Sequence, residues 1–445
     1  MKRLFSFLIT VLIIFSFSAE AKPPKYIFLF IGDGMASPQR MVAEEFARHA
    51  GHGRLVINQM PYHGTTRTGS TNSLVTDSAA SGTAIACGEK TYNGAIGIAK
   101  DKKRHLKSIA AVAKENNYKV GIVTTVTINH ATPAAFYAHR TNRSQYYEIG
   151  LDLVKSGFDY FAGGGVAMSD NKKSKEYQGD INDLARKAGY KVIDREDEFK
   201  ALKPGSGKVL INANIPYAID TPENAVFTLA NLTAKGIELL DNNRGFFMMV
   251  EGGKIDQAGH ANDAATNLRD VLAFDDAVRV AFDFAKKHPD ETLIVVTGDH
   301  ETGGMTMGFA ATGYAMYMER LALQECSVGM FSRKLKDAKE RNPNLSYEEI
   351  YQLLTDNFGF VFDAKSKSPM KLSTAEKATI KKAIDKGKLP ETARIIMAKR
   401  AGIGWTTGAH TALPVLTTAS GKYAERFTGF YENSDISNRL KALFK

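Results

Sequence analysis

Two cysteines, Cys87 and Cys326, are too few for a disulfide framework in 445 residues. Cys87 lies among Ala, Ile and Gly and reads as a small buried hydrophobe, while Cys326 falls in a distant helical region. Two free thiols are the expectation, with a Cys87–Cys326 bond as the alternative. Beyond Phe17 no apolar run approaches the roughly 20 residues of a membrane span. There is no internal repeat and no low-complexity tract, which removes solenoid and linker architectures. Basic residues outnumber acidic ones, 58 to 48, for a formal charge of +10. The lysines are scattered, however, and no basic-aromatic array accompanies them, so no nucleic-acid partner is expected. The charge reads first as a solvated face and second as a field that steers anions.

What the chain does carry begins at its N-terminus. Met1-Lys2-Arg3, the apolar residues 4–17 and Ala19-Glu20-Ala21 read as a secretory signal cleaved after Ala21. The alternative is an uncleaved signal anchor. No cysteine lies near the cleavage point, which argues against a lipoprotein anchor. The mature chain, residues 22–445, is expected to be exported, periplasmic or secreted, with no membrane span. Loss of Lys2, Arg3 and Glu20 lowers the formal charge from +10 to +9.

Acids and histidines fall at the ends of apolar runs. Residues 26–31 lead into Gly32-Asp33-Gly34, and residues 246–250 into Glu251-Gly252-Gly253, with Asp256 and His260 beyond. Residues 293–297 lead into Gly298-Asp299-His300-Glu301-Thr302-Gly303-Gly304. Short apolar runs ending in glycine read as buried parallel strands. Ligands of open α/β sheets sit outside the carboxyl ends of such strands. Carboxylates converging there repel one another unless cations lie between them. Asp256 and His260, four apart, share one helical face if that segment is helical. Imidazole and carboxylate donors without thiolates suit zinc. The oxygens of Asp33, Thr132 and Glu251 suit a harder ion such as magnesium.

A nucleophile candidate stands in Val75-Thr76-Asp77-Ser78-Ala79-Ala80-Ser81-Gly82-Thr83-Ala84. These small residues start a closely packed helix, whose free N–H groups favour an anion beside Ser78. On this segment alone, a helix cap at Thr76, Asp77 or Ser78 is the simpler reading. Beside a metal cluster the balance moves to an attacking hydroxyl.

Ile31-Gly32-Asp33-Gly34-Met35, the Ser78 segment, Val250-Glu251-Gly252-Gly253-Lys254-Ile255-Asp256-Gln257-Ala258-Gly259-His260 and Thr297-Gly298-Asp299-His300-Glu301-Thr302-Gly303-Gly304 together resemble the alkaline phosphatases. The match continues past His410 and so covers nearly the whole mature chain. The resemblance implies that Ser78 forms a covalent phosphoserine. It implies a first zinc held by Asp256, His260 and His410, which activates water. A second zinc, held by Asp33, Asp299 and His300, would activate Ser78, and one magnesium would be held by Asp33, Thr132 and Glu251. Arg143 would clamp two phosphoryl oxygens and Asp77 would orient it. His410 and Arg143 rest almost wholly on the resemblance. His130 and Gln257 occupy positions where relatives differ, and they bear on magnesium affinity and rate. His49, His52, His63, His105, His139 and His288 have no matching role.

The expected fold is α/β: one large, mostly parallel central sheet flanked by helices over residues 22–445. Residues 119–123 and 191–193 are further strand candidates, and residues 273–284 carry a helical apolar pattern. Residues 310–400 are rich in Lys, Glu and Met. Two capping boxes, Ser346/Glu349 and Ser373/Glu376, predict three or four inserted helices there, with a Leu345/Ile350 staple. The resemblance implies a crown-like insertion that shapes the site entrance and a dimer interface. Its partners would be phosphate monoesters and inorganic phosphate, usually with a homodimer, although monomers exist. The alternatives are a phosphodiesterase on the same scaffold, or a non-catalytic metal- or phosphate-binding relative. Ser78 lacks the following Pro and Arg of a sulfatase signature.

Overall fold

The computed structural model describes residues 23–444, so the expected leader, residues 1–21, lies outside the described residues. In β1 (Tyr26–Gly32) all seven residues are buried. Tyr26, Phe28 and Phe30 belong to the core on one face, Ile27, Leu29 and Ile31 to the core on the other. A strand covered on both faces needs no polar alternation, which is why its sequence is an unbroken apolar run. Each such side chain contributes about 1.5–3 kcal/mol by leaving water.

The strands that follow are β2 (Tyr62–Arg67), β3 (Lys119–Thr124), β4 (Tyr160–Gly163), β5 (Tyr190–Ile193), β6 (Lys208–Asn212), β7 (Phe246–Glu251) and β8 (Thr292–Gly298). After them come β9 (Glu301–Thr302), β10 (Thr306–Met307), β11 (Ile403–Gly404), β12 (His410–Thr411), β13 (Val415–Gly421) and β14 (Gly429–Glu432). Ten of these form the central sheet in the order β14-β2-β13-β8-β1-β7-β3-β4-β6-β5. Only β13 runs against its neighbours, so the sheet is mostly parallel. The other four pair as two small antiparallel ribbons, β9 with β12 and β10 with β11.

The three strands with glycine-ended runs lie side by side at the centre, β8-β1-β7. Register pairs Gly32 with Gly298, and Ile31 with both Glu251 and Thr297. Thr124, ending β3, pairs with Glu251. The acids that terminate these strands therefore emerge along one sheet edge.

The helix Ala264–Lys287 contains the expected pattern at residues 273–284 and buries Leu268, Val271, Phe274, Ala277, Val278 and Ala281. Phe274 meets Phe30 edge-on, with ring centroids 5.9 Å apart. Between β10 and β11 lie the long helices Val328–Arg341, Tyr347–Phe358, Thr374–Asp385 and Leu389–Ala401, preceded by a single turn, Met318–Leu321. Both expected capping boxes form there. Cys87 and Cys326 are both free and buried. Among the described residues no helix is long and apolar enough to cross a membrane.

Candidate metal centre

The small-residue helix Ser78–Cys87 is buried along its whole length. Its packing is close: a Cβ on Gly82 would stand 3.3 Å from the Cα of Thr132. Asp77 is the N-cap, and its Oδ1 accepts the Ala80 N–H at 3.0 Å. The other oxygen accepts from Arg143 Nη1 at 3.1 Å and from the Gly94 N–H at 3.0 Å. Capping and orienting the arginine are thus done by one carboxylate. Ser81 Oγ donates to the Asp299 carbonyl at 2.6 Å, fixing the helix to the end of β8. Ser78 Oγ then lies 3.2 Å from His300 Nε2.

Three sets of side chains have ligand atoms within 4.8 Å of one another: Asp256, His260 and His410; Asp33, Asp299 and His300; and Asp33, His130 and Glu251. Thr132 Oγ1 reaches Asp33 Oδ2 at 3.4 Å. All eleven side chains expected from the sequence converge here.

The hydrogen bonds assign the histidine tautomers. His260 Nδ1 is 2.7 Å from the Gly408 carbonyl and His410 Nδ1 is 2.8 Å from the Thr76 carbonyl. A carbonyl only accepts, so in both rings Nδ1 carries the proton. Their Nε2 lone pairs then face each other at 3.1 Å, a repulsive contact unless a cation lies between. The Thr302 hydroxyl donates to Asp256 Oδ1 at 2.5 Å, so His300 Nδ1 must donate to Thr302 Oγ1 at 3.2 Å. His300 Nε2 is left as an acceptor, 3.3 Å from Asp33 Oδ1 and 3.4 Å from Asp299 Oδ2. Asp33 Oδ1, Glu251 Oε1 and Asp299 Oδ2 are buried and accept no hydrogen bond. Burial, then the charges of Asp299, Asp256 and Glu251, pushes the Asp33 carboxyl well above the usual range. Burial is also the largest cause that raises Asp299 to about 8 and Glu251 to about 7. It lowers His300 well below the ordinary histidine value, which keeps the ring neutral. Unpaired carboxylate oxygens and inward-facing lone pairs are what metal cations require.

His410 reaches this site through a two-residue ribbon, with His410 opposite Thr302 and Thr411 opposite Glu301. Glu301 closes the ribbon by accepting from Thr411 Oγ1 at 2.5 Å, the Gly304 N–H at 3.0 Å and Gln39 Nε2 at 2.7 Å. Gly34 has φ +73°, and a Cβ there would come within 2.9 Å of the Asp256 Cα. A side chain at that turn would force the first two ligand sets apart.

A family profile described as alkaline phosphatase matches residues 24–445. The chain belongs to the alkaline phosphatase family. It is 34% identical to "Alkaline phosphatase 3" of Bacillus subtilis, over 83% of this chain and 77% of that one. It is 30% identical to the "Repressible alkaline phosphatase" of Saccharomyces cerevisiae, over 96% and 82% of the two chains. Among solved structures, the cold-active alkaline phosphatase of a psychrophilic Shewanella superposes with TM-score 0.82 at 30% identity, covering 94% of this chain and all of that one. An alkaline phosphatase of the Antarctic bacterium TAB5 does so with TM-score 0.67 at 27% identity, covering 96% and 99%. Alkaline phosphatase activity, the hydrolysis of phosphate monoesters, follows from this membership.

For an alkaline phosphatase site, sequence reasoning missed Thr302, which bridges Asp256 and His300, and the Gln39–Glu301 support of the ribbon. His130 was noted but not placed among the ligands. Its ring is pushed down to about 4, by burial and then by the Arg143 charge, so it presents a neutral imidazole beside Asp33 and Glu251.

Metal uptake should be pH-dependent. With Asp299 raised to about 8 and Glu251 to about 7, the first is mostly and the second partly protonated in the metal-free protein at neutral pH, so an entering cation must displace protons. Affinity is therefore expected to rise between about pH 6 and 8, with protons released on binding. Titration calorimetry in two buffers of different ionisation heat checks this. Fluorescence of the single tryptophan, Trp405, whose ring packs on Gly303, gives a second readout. Affinity independent of pH with no proton release would contradict it.

Proposed function

We propose that the chain hydrolyses phosphate monoesters in two in-line displacements at Ser78, using two zinc ions and one magnesium ion. Asp256, His260 and His410 would hold one zinc, and Asp33, Asp299 and His300 the other. Asp33, Thr132 and Glu251 would hold magnesium, with His130 beside them. When bound, such ions supply Lewis acidity, lowering the pKa of a nearby hydroxyl or water and offsetting phosphoryl charge. A TAB5 histidine-to-glutamate variant is described with Mg bound in its M3 site, which supports a hard-cation site here. The signal reading supports work outside the cytoplasm.

In the first displacement Ser78 Oγ bonds to phosphorus while the alcohol oxygen leaves. In the second, water displaces Ser78 Oγ and inorganic phosphate departs. Arg143, held by Asp77 Oδ2, would grip two non-bridging oxygens through its guanidinium fork. In the metal-free site His300 Nε2 accepts from the Ser78 hydroxyl at 3.2 Å, but with a zinc held by Asp33, Asp299 and His300 that lone pair would be taken, so His300 would not serve as a general base for Ser78. The reaction should therefore favour alkaline pH. What carries this reading is the Ser78 hydroxyl at a buried helix start, 3.2 Å from a neutral His300 that also faces Asp33 and Asp299.

Arg143→Ala tests the substrate class. A monoester dianion offers two oxygens to the fork, whereas a diester must place its second substituent there. The variant is expected to lose about a hundredfold in kcat/KM on monoesters and much less on diesters. Equal losses on both would mean that Arg143 does not read the second oxygen.

A further inference from the structure

His410 is delivered by residues 405–409, a stretch without regular structure in which Thr406, Gly408 and Ala409 are exposed. On one side this loop is held by residues 299–304. The N–H groups of Thr406 and Thr407 reach the Gly303 carbonyl at 3.0 and 3.1 Å, and the Gly303 N–H reaches the Ala409 carbonyl at 2.9 Å. On the other side it meets the C-terminal end of the helix Lys254–His260. There His260 Nδ1 donates to the Gly408 carbonyl at 2.7 Å, and Asn262 Nδ2 donates to the preceding carbonyl, that of Thr407, at 2.9 Å. Asn262 is thus a tether between helix and loop that belongs to none of the three ligand sets.

The backbone around Asn262 is fixed. Its φ is +48°, a left-handed conformation that asparagine adopts more readily than most residues, one position past the Ala261 C-cap. Its N–H closes on the Gly259 carbonyl at 2.8 Å, and the Asp263 N–H closes on that of Ala258 at 3.1 Å. Asp263 then caps the next helix through the Thr266 N–H at 3.3 Å. From this junction the Asn262 side-chain nitrogen donates to the Gly259 carbonyl at 3.0 Å as well as to Thr407. Both partners are carbonyls, which only accept, so it is the amide NH2 that faces them. Both of its protons are used.

The consequence falls on two histidines. The His260 ring takes its tautomer and its tilt from the Gly408 carbonyl, and Asn262 fixes the peptide immediately before it. His410 follows two residues later. The two Nε2 atoms stand 3.1 Å apart. Two imidazoles on one tetrahedral zinc, each at about 2.0–2.1 Å, need roughly 3.3 Å between their nitrogens. The pair is therefore set near the spacing that an ion requires. We propose that Asn262 is a positioning residue for the Asp256, His260 and His410 set, holding the two rings at metal-binding separation by anchoring the loop between them. This rests on the reading of those three side chains as a zinc site.

Two variants separate the amide from the backbone. Asn262→Gly keeps the left-handed turn and removes the amide, whereas Asn262→Ala removes the amide without adding the freedom of glycine. Zinc affinity is measured on the full chain by competition with a chromogenic chelator. Each variant is expected to bind one zinc about tenfold more weakly, the scale for losing a group that orients a ligand, and the other as wild type does. In a His410→Ala background, where the set is already incomplete, Asn262→Gly should weaken the remaining zinc no further. Unchanged affinity in both variants overturns the assignment. So does an equal loss at both zinc positions, or the same loss with and without His410, because either would mark a residue that only stabilises the fold. If His410→Ala alone leaves zinc binding at the wild-type level, it is the zinc reading of the three side chains that fails.

Discussion

Ser78→Ala is expected to abolish phosphoenzyme formation and to lower turnover by at least about a thousandfold, the scale seen when a covalent nucleophile is removed. The three ligand sets do not include Ser78, so metal content should stay at the wild-type level. That separation matters, because a general collapse of the site would lose activity and metals together. Acid-quenched wild type should carry phosphate on the peptide containing Ser78, and the variant should carry none. Phosphate recovered on that peptide from the variant, or on another residue of the wild type, would assign the chemistry elsewhere.

Chelation should have an effect of similar size, lowering activity by at least about two orders of magnitude. The buried carboxyls then repel one another and hold protons, and the facing lone pairs of His260 and His410 lose what separates them. Zinc plus magnesium should restore the rate. Zinc alone should restore it only in part, because Asp33, Thr132 and Glu251 present oxygens suited to the harder ion. The neutral imidazole of His130 beside them is a softer donor, which makes the third position the one most open to the wrong metal. Full recovery with zinc alone would argue against a separate magnesium position.

The sequence exposed the centre of this fold because β1, β7 and β8 are buried on both faces, and such strands must be apolar throughout. It was silent on β2 and β13. Both mix polar and apolar residues, and β13 enters the sheet antiparallel after the helical segment, so pairing rather than composition defines it. Asp33, Glu251, Asp299 and His300 were legible because each ends or follows a recognisable strand. His410 and Arg143 were legible only through family resemblance. A two-residue ribbon delivers the first and a single Asp77 contact orients the second, and neither leaves a local pattern. Thr302 and Glu301 stood in plain sight within the Asp299-His300 motif. Their role in fixing tautomers and closing the ribbon depends on partners at Asp256 and Thr411 that no local spacing could reveal.

The central claim is that these side chains form a metal-dependent phosphomonoesterase. Its most direct test is the rate on a chromogenic phosphate monoester and on its diester analogue, with bound metals quantified on the same sample. The expected result is zinc and magnesium on the protein, with monoester hydrolysis exceeding diester hydrolysis by at least about a hundredfold. A metal-loaded protein that hydrolyses the diester faster, or neither compound, would contradict it.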